Sequence, residues 1–319
     1  MSLLEIQSLT VEYHTLKANV KAVDRVSLSM DKGHTLGLVG ESGCGKSTLG
    51  LSTLRLVPPP GRIVGGHITL EGADVVNCSD EEIRKIRGKR IGYIFQDPMT
   101  SLNPVKRIGA HFVEMIRTHE PEVNKQDALK RGRDVLERLG ILPERIDDFP
   151  HQFSGGMRQR VMIGLALVLG PELLIADEPT TSLDVIVEAQ IIELLKELKE
   201  SLKLTMILIT HNIGIVAETA DRVAVMYAGR LAELGLTDDL FEKPMHPYTQ
   251  ALLDSVPNIT KKGQVLSWIP GAPPDLAEPP PGCLYHPRCP RAFDRCKKEE
   301  PSLTKHSGTY VACHLYDKR

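Results

Sequence analysis

The chain lacks the marks of a membrane-embedded or exported protein. No apolar run approaches the roughly 18–20 residues that a bilayer-spanning helix needs. The opening stretch Met1-Ser2-Leu3-Leu4-Glu5-Ile6 has neither a basic region nor a long apolar core, so no signal peptide is expected and the chain is placed in the cytoplasm. Neither sign of charge is in excess. The formal net charge is -2, so no overall basic field points to nucleic acid as a partner. Cysteine is sparse, with six residues, and in a reducing compartment these argue against a disulfide framework. Two of them, Cys44 and Cys78, are scattered, and four crowd near the end of the chain. What remains is ordinary for a globular protein: 41% hydrophobic, 25% charged and 319 residues, long enough for about two domains.

One stretch carries chemistry by itself. Gly40-Glu41-Ser42-Gly43-Cys44-Gly45-Lys46-Ser47-Thr48 fits G-x-x-x-x-G-K-[ST], the phosphate-binding loop pattern. The apolar run Thr35-Leu36-Gly37-Leu38-Val39 before it reads as a buried strand, and Thr48 to Leu54 after it reads as the start of a helix. The glycines let the backbone curl so that N–H groups point at an anion, and the helix N-terminus adds its partial positive charge. Lys46 can then reach the β- and γ-phosphates of a nucleotide, and the Ser47 hydroxyl can ligate Mg²⁺. Cys44, beside Lys46, is expected to be favoured as a thiolate.

The surrounding pattern alternates strand and helix signals. Residues 3–39 suggest several short antiparallel strands, with Tyr13 among them as a half-buried strand tyrosine. Ile91 to Phe95 is β-rich and ends at Gln96. Residues 105–145 show helical spacing and read as an insertion between sheet strands. Ser154 is a natural N-cap for a helix whose first turn holds Gly155 and Gly156, a second candidate anion site. Leu173-Leu174-Ile175-Ala176-Asp177-Glu178 is a buried strand ending in two carboxylates, similar to the Walker B element in which the Asp holds Mg²⁺. Glu178 is placed to polarise water as a general base. Thr181-Ser182-Leu183-Asp184 precedes another helix, and the strand Leu204 to Thr210 ends at His211, where α/β folds place ligands.

Taken in order, these motifs resemble the nucleotide-binding subunits of ABC transporters over roughly residues 3–235. Within that family the chain is most similar to the oligopeptide/dipeptide importer ATPases, through Gln96-Asp97-Pro98-Met99-Thr100-Ser101-Leu102-Asn103-Pro104, Pro150 to Met157 and His246-Pro247-Tyr248-Thr249-Gln250-Ala251-Leu252-Leu253. The signature departs from the commonest Leu-Ser-Gly-Gly-Gln, with Phe153 and Met157 at its ends; Ser154 and the backbone donors remain.

The resemblance implies an α/β fold: a P-loop NTPase core with an antiparallel β subdomain and a helical subdomain at about 97–160. It places the nucleotide-binding domain at 1–237 and a small irregular cysteine-containing domain at 238–319. It implies ATP and Mg²⁺ as ligands. Tyr13 would stack on adenine. Gly40, Ser42, Gly43, Cys44, Gly45, Lys46, Ser47 and Thr48 would bind the nucleotide. Ser47, Gln96 and Asp177 would hold Mg²⁺, and Glu178, His211, Gln96 and Lys46 would serve hydrolysis. Ser154, Gly155 and Gly156 would act on the nucleotide of a second subunit, with Ser182 and Asp184 in the loop that follows Glu178. The implied partners are a second ABC ATPase, two membrane permease subunits and an extracytoplasmic solute-binding protein, without nucleic acid, which puts the chain at the cytoplasmic face of the membrane. Di- or oligopeptide uptake is the main implied activity. Oligosaccharide or nickel import, or a soluble ABC ATPase with a redox-sensing tail, are the alternatives.

The tail is distinctive. Residues 257–290 carry nine prolines, which excludes a regular helix or central strand. Trp268, the only tryptophan, suggests docking on the main domain. Cys283, Cys289, Cys296 and Cys313 follow with C-x5-C-x6-C-x16-C spacing. Structural zinc usually shows C-x2-4-C pairs, whereas iron–sulfur clusters accept wider spacings. The resemblance implies a [4Fe–4S] cluster on these four thiols, with Zn²⁺ as the alternative and His286, His306 and His314 as substitute ligands.

Overall fold

The structure, a computed structural model, describes residues 2–16, 18–97, 101–181, 183–255 and 268–317. The chain forms two compact units, one of Met1–Asn77 with Leu208–Arg319 and one of Cys78–Ile207.

The first unit opens on β1 (Ser2–His14) and β2 (Asn19–Asp31), which pair antiparallel. The run expected as several short strands is therefore two long ones. In β2 the buried Val26, Leu28 and Met30 alternate with exposed Arg25, Ser27 and Ser29, the period of a strand with one covered face. Bulges within β1 let it continue past breaks in its pattern. β3 (Thr35–Val39) is buried throughout and leads through the phosphate loop into α1 (Lys46–Ser52). β4 (Gly61–Leu70) lies along the other edge of β1 and turns into β5 (Ala73–Asp74), which gives an antiparallel sheet of order β2-β1-β4-β5.

The second unit begins at α2 (Asp80–Ile86), held by a capping box in which Ser79 and Glu82 each accept from the other's backbone N–H. β6 (Ile91–Ile94) runs parallel to β7 (Leu173–Asp177), and both are buried along their whole length. Such runs need cover on both faces, as parallel strands do. Between them come α3 (Ile108–His119), α4 (Lys125–Arg138) and α5 (Gly155–Leu167). They close on one core that includes Phe112, Ile116, Leu136, Ile146 and Val161, so the expected helical insertion is present. α6 (Val185–Leu202) buries Ile191, Ile192, Leu194, Leu195 and Leu198. β8 (Thr205–Ile209) then carries the chain back into the first unit.

There α7 (Ile213–Thr219) precedes β9 (Arg222–Tyr227), which runs parallel to β3, and β10 (Arg230–Leu236) pairs antiparallel with β9. After α8 (Thr237–Glu242) and α9 (Pro247–Asp254) the C-terminal segment forms β11 (Thr304–His306) and β12 (Thr309–Val311). The turn between them has positive φ at both Ser307 (+47°) and Gly308 (+99°), the tight hairpin geometry. β12 pairs with β10, so the tail adds two strands to a mixed sheet rather than standing apart as an irregular domain. Trp268 does not dock, being 77% exposed. Tyr285 is the buried anchor instead, in a core with Tyr227 and Tyr248. Among the described residues no helix is long and apolar enough to cross a membrane.

Candidate functional site

In the first unit the phosphate loop is shaped by steric necessity. Gly40, Gly43 and Gly45 all have positive φ, at +152°, +79° and +100°. A Cβ at Gly40 would sit 2.2 Å from the Met226 carbonyl oxygen, and one at Gly45 would sit 2.0 Å from that of Ala22. Only glycine satisfies both the backbone and the space. Gly45 caps α1 in a left-handed conformation and, having no side chain, adds no side-chain cap to the helix start.

The Lys46 side chain is buried and donates to the carbonyls of Gly40 (2.8 Å) and Glu41 (3.0 Å). The Tyr13 hydroxyl lies 3.5 Å from the Thr48 hydroxyl, so Tyr13 stands beside α1. Cys44 departs from expectation. Burial pushes its thiol up despite the Lys46 ammonium, so it is held as a thiol and not as a reactive thiolate. His211 follows β8 and is exposed.

In the second unit the carboxylates at the end of β7 are held by partners with fixed directions. Asp177 is buried and accepts a hydrogen bond from the Tyr93 hydroxyl on the neighbouring β6, at 2.8 Å. Burial and the Asp177 charge push the Tyr93 hydroxyl far above its ordinary range, so it remains a donor. Glu178 accepts on one oxygen from the Gln96 amide (2.8 Å) and from the Thr181 hydroxyl (2.9 Å). The structure thus brings the expected Gln96 and Glu178 together.

Ser154 caps α5, accepting from the Met157 N–H at 3.3 Å, and its own position is exposed. A Cβ at Gly156 would lie 2.6 Å from Cγ1 of Val187 on α6, so this glycine is required by helix contact as well as by any ligand. Asp184 caps α6 through the N–H groups of Ile186 and Val187. Ser182, and Pro98, Met99 and Thr100 in the stretch after Gln96, lie outside the described residues.

Comparison with known proteins decides the family. Residues 23–181 match the family described as ABC transporter. The chain is 48% identical, over 97% of its length and 87% of the relative's, to the oligopeptide transport ATP-binding protein OppD of Bacillus subtilis (strain 168). It is 45% identical, over 98% of its length and 97% of the relative's, to the dipeptide transport ATP-binding protein DppD of Escherichia coli (strain K12). The chain belongs to the ABC transporter family.

Residues 232–296 also match the oligopeptide/dipeptide transporter C-terminal region. Among solved structures, this ABC protein is similar to the dimeric ATP-binding cassette MJ0796 in a post-hydrolysis state bound to ADP and Pi, with a TM-score of 0.64, 26% identity and coverage of 73% of this chain and 98% of that one. It is likewise similar to cbiO1 from Clostridium perfringens, part of the ABC transporter complex cbiONQ, with a TM-score of 0.64, 28% identity and coverage of 76% and 91%.

The tail of this ABC ATPase corrects one expectation in part. Cys283, Cys289, Cys296 and Cys313 do line one small cavity, with His286 and His314 at its wall, while His306 is absent from the lining and is bonded to Thr304. The cavity is about 10 Å³, the room of roughly one water. Among the described residues no group of three or more His, Cys, Asp or Glu is arranged to hold a metal ion. Burial pushes the thiols of Cys283 and Cys289 up, and that of Cys313 up to about 11. Both nitrogens of His314 are engaged, by Asp317 and the Glu299 carbonyl. The four-thiol donor set suits a [4Fe–4S] cluster or Zn²⁺; the space between the thiols as they stand does not.

Sequence reasoning missed Tyr93, Thr181 and a set of residues around Glu41. Arg288 and Tyr248, from the C-terminal part of the first unit, both bond to Glu41 inside the phosphate loop.

Proposed function

We propose that this chain is the ATPase subunit of an importer for di- and oligopeptides, hydrolysing ATP to drive solute through separate membrane subunits. The observation that carries the reading is the phosphate loop: three glycines at positive φ, where side chains at two of them would strike backbone carbonyls, and a buried Lys46 that holds the loop by its own carbonyls at the start of α1. The printed names of the relatives, which are oligopeptide and dipeptide transport ATP-binding proteins, supply the solute class.

In this mechanism Lys46 and the amides from Gly43 to Thr48 bind the phosphates, and Tyr13 stacks on adenine. Ser47, Gln96 and Asp177 are the residues that would hold Mg²⁺, which would neutralise charge on the phosphates. Tyr93 fixes the Asp177 carboxylate. Gln96 and Thr181 orient Glu178, which takes a proton from the attacking water. His211 contacts the γ-phosphate. The nucleotide-binding domain is 1–237 and the extension 238–319. Ser154, Gly155 and Gly156 complete the site of a second ABC ATPase, with Ser182 and Asp184 beside them. Two permease subunits and an extracytoplasmic binding protein complete the assembly, with this chain peripheral at the cytoplasmic face.

Reconstitution with the permease subunits in vesicles tests the reading. MgATP should drive uptake of labelled di- and oligopeptides. Uptake of an oligosaccharide or of nickel in their place, or ATP hydrolysis indifferent to the permeases, would overturn it.

A further inference from the structure

Glu41 occupies the second position of an anion-binding loop, where a free carboxylate would repel a triphosphate. Every polar group it has is engaged. Its N–H donates to the Tyr248 hydroxyl at 2.9 Å, and its carbonyl accepts from the Lys46 ammonium at 3.0 Å. Its carboxylate accepts both arms of the Arg288 guanidinium, at 2.7 and 2.9 Å.

Arg288 is in turn fixed. Its side chain is 4% exposed, its Nε donates to the Pro270 carbonyl at 2.9 Å and Nη1 reaches the Tyr227 hydroxyl at 3.3 Å. Tyr227, Tyr248 and Tyr285 pack against one another in tilted and edge-to-face contacts, at 4.6 to 5.3 Å between ring centres. Pro273, Pro274 and Leu276 of the same C-terminal segment face Glu41, Ser42, Gly43 and Cys44 across a cavity of about 150 Å³.

We propose that Arg288 is a positioning residue for nucleotide binding. It turns the Glu41 carboxylate out of the phosphate loop and neutralises it, so that the C-terminal segment sets the loop's affinity for ATP. The chain of contact runs Arg288–Glu41–Lys46. A bidentate fork on a rigid base fixes direction as well as charge, which a lysine cannot do. The inference rests on the reading of the loop as a nucleotide site.

The test uses the full chain and MgATP, with affinity measured by calorimetry and folding checked by thermal unfolding. Arg288→Met is expected to bind MgATP about tenfold or more weakly, the scale for a displaced binding group. The defect should shrink as salt rises, because unmasked repulsion is screened. Adding Glu41→Gln to Arg288→Met should restore affinity to within about threefold of wild type, since the unmasked charge is then gone. A part of the fold that merely needed Arg288 for packing would show neither the salt response nor the rescue. If Arg288→Met does not fold, Arg288→Gln carries the same expectations. Wild-type affinity in the folded variant, or a double variant as weak as the single one, overturns the positioning role alone. A wild-type chain that fails to bind MgATP overturns the nucleotide reading, and the positioning role with it.

Discussion

Glu178 leaves β7 in a left-handed backbone conformation, φ +46°, which is unfavourable for a residue with a side chain and is held by its surroundings. Gln96 and Thr181 converge on one of its carboxylate oxygens, which fixes the direction of the carboxylate. Glu178→Gln should therefore retain MgATP binding and lower turnover by roughly 10²–10⁴, the scale of losing a general base. Near-normal hydrolysis in the assembled transporter would refute its role. Cys44 gives the opposite kind of expectation. Because burial raises its thiol, alkylation by iodoacetamide should be slow at pH 8 and should accelerate only as pH rises past the ordinary thiol range. Fast modification at neutral pH would contradict that. Asp177 and Glu178 were legible in the sequence because they end an apolar run with a phosphate loop upstream. Tyr93 and Arg288 were not, because their partners stand 84 and 247 positions away and neither belongs to a local pattern.

The signature helix shows how two demands meet in one glycine pair. Gly155 and Gly156 open α5 behind the Ser154 cap, which suits an anion, and Gly156 also faces Val187 of α6. Replacing Gly156 by Ala would gain about 0.5–1 kcal/mol of helix preference. It would also press a methyl to 2.6 Å from a β-branched side chain, which has little freedom to turn away. Overpacking of that kind costs about 1–3 kcal/mol, so the clash should win. Gly156→Ala is expected to lower the Tm, and adding Val187→Ala should recover part of the loss. An unchanged Tm in the single variant would refute the contact. The sequence conveys the helices around this point because their periodicity is strong. It conveys little of β11 and β12, where three-residue strands such as Thr304-Lys305-His306 carry no apolar alternation and take their pairing from β10. The nine prolines describe only what the tail cannot be.

The whole chain presents Ser154 at an exposed position, and at the start of α6 it leaves Val185 80% and Ile186 72% exposed. In the proposed assembly this is the side of the chain that a second ATPase meets. If Ser154 acts on the nucleotide of that second ATPase, its chemistry can be separated from its structural task. Asp is as good an N-cap as Ser, so Ser154→Asp should keep stability within about 0.5 kcal/mol. It should also leave MgATP binding by the isolated chain unchanged, since that binding uses the chain's own phosphate loop. Against a triphosphate held by the partner, the added carboxylate is a like charge where a donor is needed. Transporter ATPase should then fall by about 10²–10³, as when one such donor is removed. Ser154→Asn, which caps equally well and adds no charge, should lose far less. A Ser154→Asp transporter with full ATPase, or an isolated chain that already fails to bind MgATP, would show that Ser154 serves its own chain and not its neighbour.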